Sequence, residues 1–163
     1  LMTAQIANGG YKIYPKIVLN KDDEDIKEDK FKPLCKNSKN IKLVQEAMFS
    51  STNEVRGTSY KSRINDPKYQ FAGKTGTAQV KRITKQDREL DLKTFEIPYE
   101  ERDHALYVAF GPYRKPKYAI SILLEHGGSG SAVAAPLAKK LFKKIIDRYE
   151  IRKSFNSKNY LDI

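Results

Sequence analysis

The 163-residue chain has one cysteine and no tryptophan. A lone thiol, Cys35, cannot close an internal disulfide or build a thiolate zinc cluster, which excludes disulfide scaffolds and cysteine-based zinc folds. No apolar run approaches the roughly 18 residues that a membrane helix needs. Residues 1–6 carry neither a basic region nor a long apolar stretch, so no secretory leader is visible. There are no internal repeats. What is present is a polar chain with 10 Tyr and 7 Phe, enough aromatic mass to argue against wholesale disorder. Its length suits one domain of ordinary size.

Basic residues outnumber acidic ones 31 to 20, for a net charge of +11. That excess does not point to nucleic acid. Lysines outnumber arginines 23 to 8, a bias that arises without selection for polyanion binding. Residues 21–30 hold six acids against three lysines, and residues 71–104 hold seven charges of each sign. Only 31–70 and 131–163 are clearly basic, at +5 each. A nucleic-acid module concentrates its charge on one face and interleaves aromatics. The expectation is therefore no nucleic-acid partner, with a basic nucleic-acid-binding domain kept only as the weakest alternative.

Residues 1–8 read as the end of a helix, stopped by Asn8-Gly9-Gly10, because glycine accepts the left-handed conformation past a helix end. No cap precedes Leu1, so the chain reads as starting mid-helix. Tyr11-Lys12-Ile13-Tyr14 and Ile17-Val18-Leu19 suggest one or two short edge strands, since Pro15 is tolerated only at an edge. Residues 20–32 read as a charged loop insertion. Residues 41–50 predict a helix with Leu43, Val44, Ala47 and Met48 on its apolar face. Residues 71–80 look extended and 81–103 read as a long connection. His104 to Phe110 and Tyr118 to Glu125 predict an antiparallel hairpin about the proline-containing turn 111–116. The last helix carries Val133, Leu137, Leu141 and Ile145 at steps of four, joined by Ala138, Phe142, Ile146 and Tyr149. Lys139, Lys140, Lys143 and Lys144 line its other side. Ser131 could cap it, or Pro136 could open it. The polar tail 151–163 is expected to fray.

Gly73-Lys74-Thr75-Gly76-Thr77 is the segment with chemistry in it. A phosphate loop would need a glycine where Lys68 stands and a helix directly after Thr75, and neither is met. A strand-borne Lys-Thr-Gly triad is one of the signatures of β-lactamases and penicillin-binding proteins. Thr75 and Thr77 fall on one face of a strand and can offer two hydroxyls to a carboxylate. Lys74 adds positive charge. Gly76 leaves room for a substrate backbone, and the Thr77 N–H can address a developing oxyanion.

With its flanks, Phe71-Ala72-Gly73-Lys74-Thr75-Gly76-Thr77-Ala78-Gln79 resembles the third signature of class B penicillin-binding proteins. Gly57-Thr58-Ser59-Tyr60 is similar to the family's upstream Gly-Thr-Ala segment. The two strands of the hairpin, the helix start Ser131-Ala132-Val133-Ala134-Ala135-Pro136 and the helix end Ile6-Ala7-Asn8-Gly9-Gly10-Tyr11 also resemble the family, most of all its elongation-type members. The resemblance implies an α+β, partial β-lactamase/transpeptidase-like fold. In it an antiparallel sheet, made of the Lys-Thr-Gly strand and a C-terminal hairpin, is packed by a C-terminal amphipathic helix. Residues 1–150 would be the C-terminal portion of the transpeptidase domain. The implied activity is D,D-transpeptidation, cross-linking peptidoglycan stem peptides through an acyl-serine that β-lactams trap. Lys74 is then the implied catalytic residue in this chain, and Lys74, Thr75, Gly76 and Thr77 the substrate-binding set. No cofactor and no metal are implied. The location would be the periplasmic face of the bacterial inner membrane, with the anchor and the rest of the domain outside this chain.

Two family motifs are missing. No serine has a lysine three residues on. Thr58-Ser59-Tyr60-Lys61 has that spacing from a threonine but belongs to the Gly-Thr-Ala segment. Ser-x-Asn occurs four times, at Ser38, Ser51, Ser154 and Ser157, too often in an Asn-rich chain to carry meaning. The chain is thus expected to be inactive alone. The alternative is a non-catalytic peptide- or partner-binding module from a split gene. His104 and His126 should lie close together at the hairpin's open end, as a polar cluster rather than a metal site. Cys35 is expected to be a thiol without function, and the lysine face of the last helix a solvated one.

Overall fold

The computed structural model describes residues 1–15, 32–82 and 92–159, together with positions 85 and 89, with side chains up to 153. Helix α1 (Met2–Ala7) ends at Asn8, and Gly9 and Gly10 follow at φ of 93° and 86°. That left-handed pair turns the chain back, and the Gly10 N–H caps the Gln5 carbonyl. No strand follows in the described residues. Tyr11 makes a single antiparallel bridge to Pro33. Pro15 offers no donor to extend a ladder there. The expected strand 17–19 and the charged loop 20–32 lie almost wholly outside the described residues.

Helix α2 (Ser38–Asn53) is longer than the apolar pattern suggested, because Asn37 caps it by accepting from the Lys39 N–H. Three strands follow, β1 (Ala72–Ala78), β2 (His104–Gly111) and β3 (Tyr118–Leu124), in the order β1-β2-β3. Both pairs are antiparallel, with Thr75 opposite Tyr107 and Tyr107 opposite Ile122. A π-helical turn (Gly130–Ala134) leads into helix α3 (Ala135–Asn159). Its cap is Ser129, whose Oγ accepts from the Ala132 N–H and lies 3.1 Å from Ser131 Oγ. The expected cap, Ser131, lies inside the π-wound entry turn, two residues past the observed cap, and Pro136 is the second residue of α3 rather than its first. The helix runs to Asn159, past Ile151 where fraying was expected.

The sheet is a layer with a core on each face. Phe71, Ala105, Tyr107, Ala109 and Ile122 pack against Ala134, Ala135, Ala138, Phe142 and Ile146 of the π turn and α3. Phe71 stacks on Phe142 with ring centroids 5.0 Å apart. On the other face, Ala72 and Phe110 pack with Met48 of α2 and Ile6 and Ala7 of α1. The α+β class, the sheet and the covering C-terminal helix are those the sequence implied.

The helical faces differ in detail. From the π turn into α3 the buried line is Ala134, Ala138, Phe142 and Ile146, whereas Val133, Leu137 and Leu141 stay 36–43% exposed. Of the expected apolar face, Ala138, Phe142 and Ile146 are buried, and Val133, Leu137 and Leu141 lie at its exposed edge. In α2 only Met48 of the expected face is buried, and Leu43 is 65% exposed. Phe49 and Ile6, half-buried, pack beside Met48 instead.

Candidate active-site wall

β1 stands at the edge of the described sheet, with β2 on one side and no strand on the other. Alternation then sorts its side chains. Lys74 faces Val108 across the ladder and lines a cleft with α1 and α2 residues. Thr75, opposite Tyr107, and Thr77, opposite Ala105, share the other face. Lys74 is exposed and folds back so that Nζ donates to the Thr75 carbonyl at 2.8 Å. Thr75 is half-buried and Thr77 is exposed. The strand brings the two hydroxyls together as expected and puts the ammonium group on the opposite face.

The edge strand is held at its start and at its middle. Asn53 Nδ2 donates to the Phe71 carbonyl at 3.0 Å, which ties the end of α2 to the start of β1. Gly130 lies against the middle of the strand. A Cβ there would meet the Gly76 and Leu106 carbonyl oxygens at 2.6 Å. Only glycine lets the π turn come so close. The chain therefore passes from β3 into α3 directly over the Lys-Thr-Gly segment.

Beneath it lies a closed cluster of hydroxyls. Tyr107 Oη is 2.9 Å from Thr52 Oγ1 and 3.1 Å from Ser59 Oγ, and all three side chains are fully buried. Ser59 Oγ in turn donates to the Ser51 carbonyl at 3.0 Å. Burial raises the Tyr107 phenol above its ordinary value, partly offset by the hydrogen bonds from Ser59 and Thr52. A second chain of hydroxyls runs outward, from Ser51 Oγ to Thr58 Oγ1 at 3.1 Å and from Thr58 Oγ1 to Thr75 Oγ1 at 3.3 Å.

Sequence reasoning passed over Ser51-Thr52-Asn53 as a chance Ser-x-Asn match. All three side chains serve the β1 region. Ser51 reaches Thr58, Thr52 reaches Tyr107, and Asn53 holds the Phe71 carbonyl. The available signal was the apolar-to-polar switch at the end of the α2 pattern, where hydroxyl residues replace the greasy stripe. In the Thr58-Ser59-Tyr60-Lys61 stretch, Ser59 is buried on Tyr107 and Lys61 is exposed. The strand over 72–78 also rules out the helix that a phosphate loop requires after Thr75.

His104 and His126 meet at the open end of the hairpin, 4.9 Å between ring centroids. The His126 N–H donates to His104 Nδ1 at 3.0 Å, and His126 Nδ1 lies 3.1 Å from the Arg102 carbonyl. The second contact requires a proton on His126 Nδ1. The pair clamps the hairpin to the 99–103 segment, with Tyr99 packed on the His126 ring. Among the described residues no three His, Cys, Asp or Glu side chains gather to hold a metal. Cys35 is half-buried and its Sγ donates to the Asn37 carbonyl. No described helix is long and apolar enough to cross a membrane.

Residues 2–143 match the penicillin binding protein transpeptidase domain. Peptidoglycan D,D-transpeptidase MrdA of Salmonella typhimurium is 41% identical over 105 residues, covering 64% of this chain and 16% of that protein. The Acinetobacter baumannii MrdA is 46% identical over 79 residues, 48% of this chain and 11% of that protein. Among solved structures, Pseudomonas aeruginosa PBP2 in complex with WCK 5153 superimposes with a TM-score of 0.62 at 32% identity. That match covers 85% of this chain and 26% of that one. PBP2 of Helicobacter pylori, solved with MreC, gives 0.56 at 35% identity, over 77% of this chain and 21% of that one. The chain belongs to the penicillin-binding protein transpeptidase family and is a C-terminal part of a transpeptidase domain of the PBP2 type. It spans between a tenth and about a quarter of the length of these relatives.

Proposed function

We propose that this chain forms the carboxylate-receiving wall of a peptidoglycan D,D-transpeptidase whose nucleophilic serine lies outside it. The observation that carries the reading is the outer edge of β1, unpaired among the described residues, with Thr75 and Thr77 on one face and Lys74 on the other. An incoming D-Ala-D-Ala terminus, or a β-lactam that mimics it, lies along this edge. Thr75 and Thr77 donate to its carboxylate, and Lys74 supplies positive charge and takes part in the proton network. The Thr77 N–H is one donor to the oxyanion of the tetrahedral intermediate. The Ser51–Thr58–Thr75 chain of hydroxyls fixes the direction in which Thr75 donates. No cofactor enters the reaction.

In this reading residues 1–150 are one part of a larger domain and 151–163 a polar tail. The remainder supplies the serine, its lysine partner and the second motif. The apolar cleft of about 610 Å³ lined by Met2, Ile6, Val44, Ala47, Met48 and Val108 is the face on which that remainder packs. The complete protein works at the periplasmic face of the inner membrane through an anchor outside this chain.

Labelling with a fluorescent penicillin tests the proposal. The complete transpeptidase should acquire one covalent label per molecule, lost on boiling-resistant gels when the nucleophilic serine is replaced. The 163-residue chain alone should acquire none. A mass increase equal to one opened β-lactam on the chain alone overturns it.

A further inference from the structure

The open end of the β2–β3 hairpin holds a strained residue. His126 sits at φ 55°, in the left-handed region that a residue with a Cβ occupies at a cost. Its backbone N–H donates to His104 Nδ1 at 3.0 Å, and its own Nδ1 lies 3.1 Å from the Arg102 carbonyl. Tyr99 packs on its ring. Both histidines are half-buried, so protons reach them from solvent. Among the described residues, four sets of charged groups flank the pair at this end of the sheet. They are Arg102, whose guanidinium lies over the Tyr99 ring, and Asp103, whose Oδ1 accepts from the Val80 N–H. The others are Glu125, beside His126 in the chain, and the Lys81–Glu101 ion pair.

From His126 the chain reaches Gly128, at φ 76°, whose N–H donates to the Asp103 carbonyl at 2.7 Å. Two residues on, Gly130 is seated on the Gly76 carbonyl oxygen, so close that a Cβ would meet it at 2.6 Å. That carbonyl and the Thr77 N–H are the two ends of one planar peptide. The stretch from His126 to Gly130 thus joins the histidine pair to the N–H assigned to the oxyanion. The two imidazoles answer a proton differently. His104 accepts at Nδ1, so its neutral form carries a proton on Nε2, and a second proton can go only to Nδ1. That sets a donor against the His126 N–H and removes the bond. His126 holds its proton on Nδ1, so a second goes to Nε2 and the Arg102 contact survives. Histidine is the side chain that ordinarily titrates between about pH 5 and 8.

We propose that His104 is a positioning residue for the Lys-Thr-Gly strand: neutral His104 holds His126 left-handed and so seats Gly130 on the Gly76–Thr77 peptide, and protonated His104 releases both. The catalytic consequence rests on the transpeptidase reading of β1. The hydrogen bond and its loss on protonation do not.

The test uses the complete transpeptidase, with two readouts at about pH 7.5 and about pH 5. The first is deuterium exchange in peptides spanning residues 125–130, with variants compared at the same pH so that intrinsic exchange cancels. The second is the rate of acylation by a fluorescent penicillin. His104→Asn keeps an acceptor oxygen in place of Nδ1 and does not titrate in this range, whereas His104→Ala has no acceptor. At the higher pH the wild type and His104→Asn should exchange and acylate alike. His104→Ala should exchange faster and acylate about tenfold more slowly, the worth of one hydrogen bond. At the lower pH the wild type should fall to the level of His104→Ala in both readouts, and His104→Asn should stay about tenfold ahead of it. Groups elsewhere in the site titrate alike in all three proteins, so the ratios isolate His104. One shared pH profile for the wild type and His104→Asn overturns the proposal, as does exchange that follows His104 while acylation does not. A complete protein that never acylates, yet whose exchange follows His104, contradicts the transpeptidase reading and not the hydrogen-bond switch.

Discussion

Thr75 and Tyr107 face each other across β1 and β2, and they show two uses of a hydroxyl. The Thr75 hydroxyl is half-buried at a strand edge, oriented by Thr58 and open to a ligand. Removing it as Thr75→Val in the complete transpeptidase should slow acylation by penicillin ten- to a hundredfold, since one hydrogen bond to a carboxylate is worth about 1.5–3 kcal/mol. Thr77→Val should act similarly. The rate of fluorescent-penicillin labelling measures both, and an unchanged rate removes the hydroxyl from the site. Tyr107 is instead sealed within the core. In Tyr107→Phe the Thr52 and Ser59 hydroxyls keep carbonyl acceptors at Met48, Gly73 and Ser51, so the expected cost is only about 1 kcal/mol. The phenol also links stability to pH. Its folded value is raised, so its contribution is intact below about pH 10 and is lost as pH climbs from there toward the folded value, where the unfolded chain ionises first. Denaturation midpoints between pH 8 and 11 should fall more steeply for the wild type than for Tyr107→Phe.

At the scale of elements, α3 separates what a sequence pattern can deliver from what packing decides. A repeat of four was plain in the sequence, and two adjacent lines satisfied it, one through Leu137 and Leu141 and one through Ala138 and Phe142. The sequence reading took in both lines and did not say which is buried. The π turn at Gly130–Ala134 adds a residue per turn and rotates the helix so that the second line meets the sheet. Small alanines let α3 come close, and Phe142 fills the space against Phe71. Phe142→Ala should therefore cost about 3–5 kcal/mol, a fully buried aromatic lost from the core. Leu137→Ala, 36% exposed, should cost under about 1 kcal/mol. Urea unfolding distinguishes them, and the reverse order would contradict the burial of the line through Ala138 and Phe142. The hairpin was legible to within a residue at its strand ends, because two apolar runs of strand length flank a proline-containing turn. The Lys-Thr-Gly strand was legible because its motif is local. The hydroxyl cluster was not, since Thr52, Ser59 and Tyr107 lie far apart in sequence and meet only after α2 docks on β1.

For the molecule as a whole, two features stand side by side. The chain spans only part of the length of its relatives, and it shows apolar side chains to solvent along the α1–α2 cleft and the outer line of α3. An isolated domain seldom exposes contiguous apolar surface of that kind. The chain on its own should self-associate or melt over a broad range and should bind a hydrophobic dye. A strictly monomeric species by light scattering, with one sharp cooperative melt, would contradict this. The sequence showed that two family motifs are missing from this chain. It placed the apolar face of α2 inward, however, because pattern alone does not say which part of a domain is present to cover a stripe.

The central claim is that the outer edge of β1 receives the substrate carboxylate. The most direct measurement is a crystal structure of the complete transpeptidase acylated by a penicillin. The account predicts the drug's carboxylate within hydrogen-bonding distance of the Thr75 and Thr77 hydroxyls, with the Thr77 N–H on the acyl oxygen. A carboxylate bound on another strand or on the far side of the serine, with Thr75 and Thr77 untouched, would contradict it.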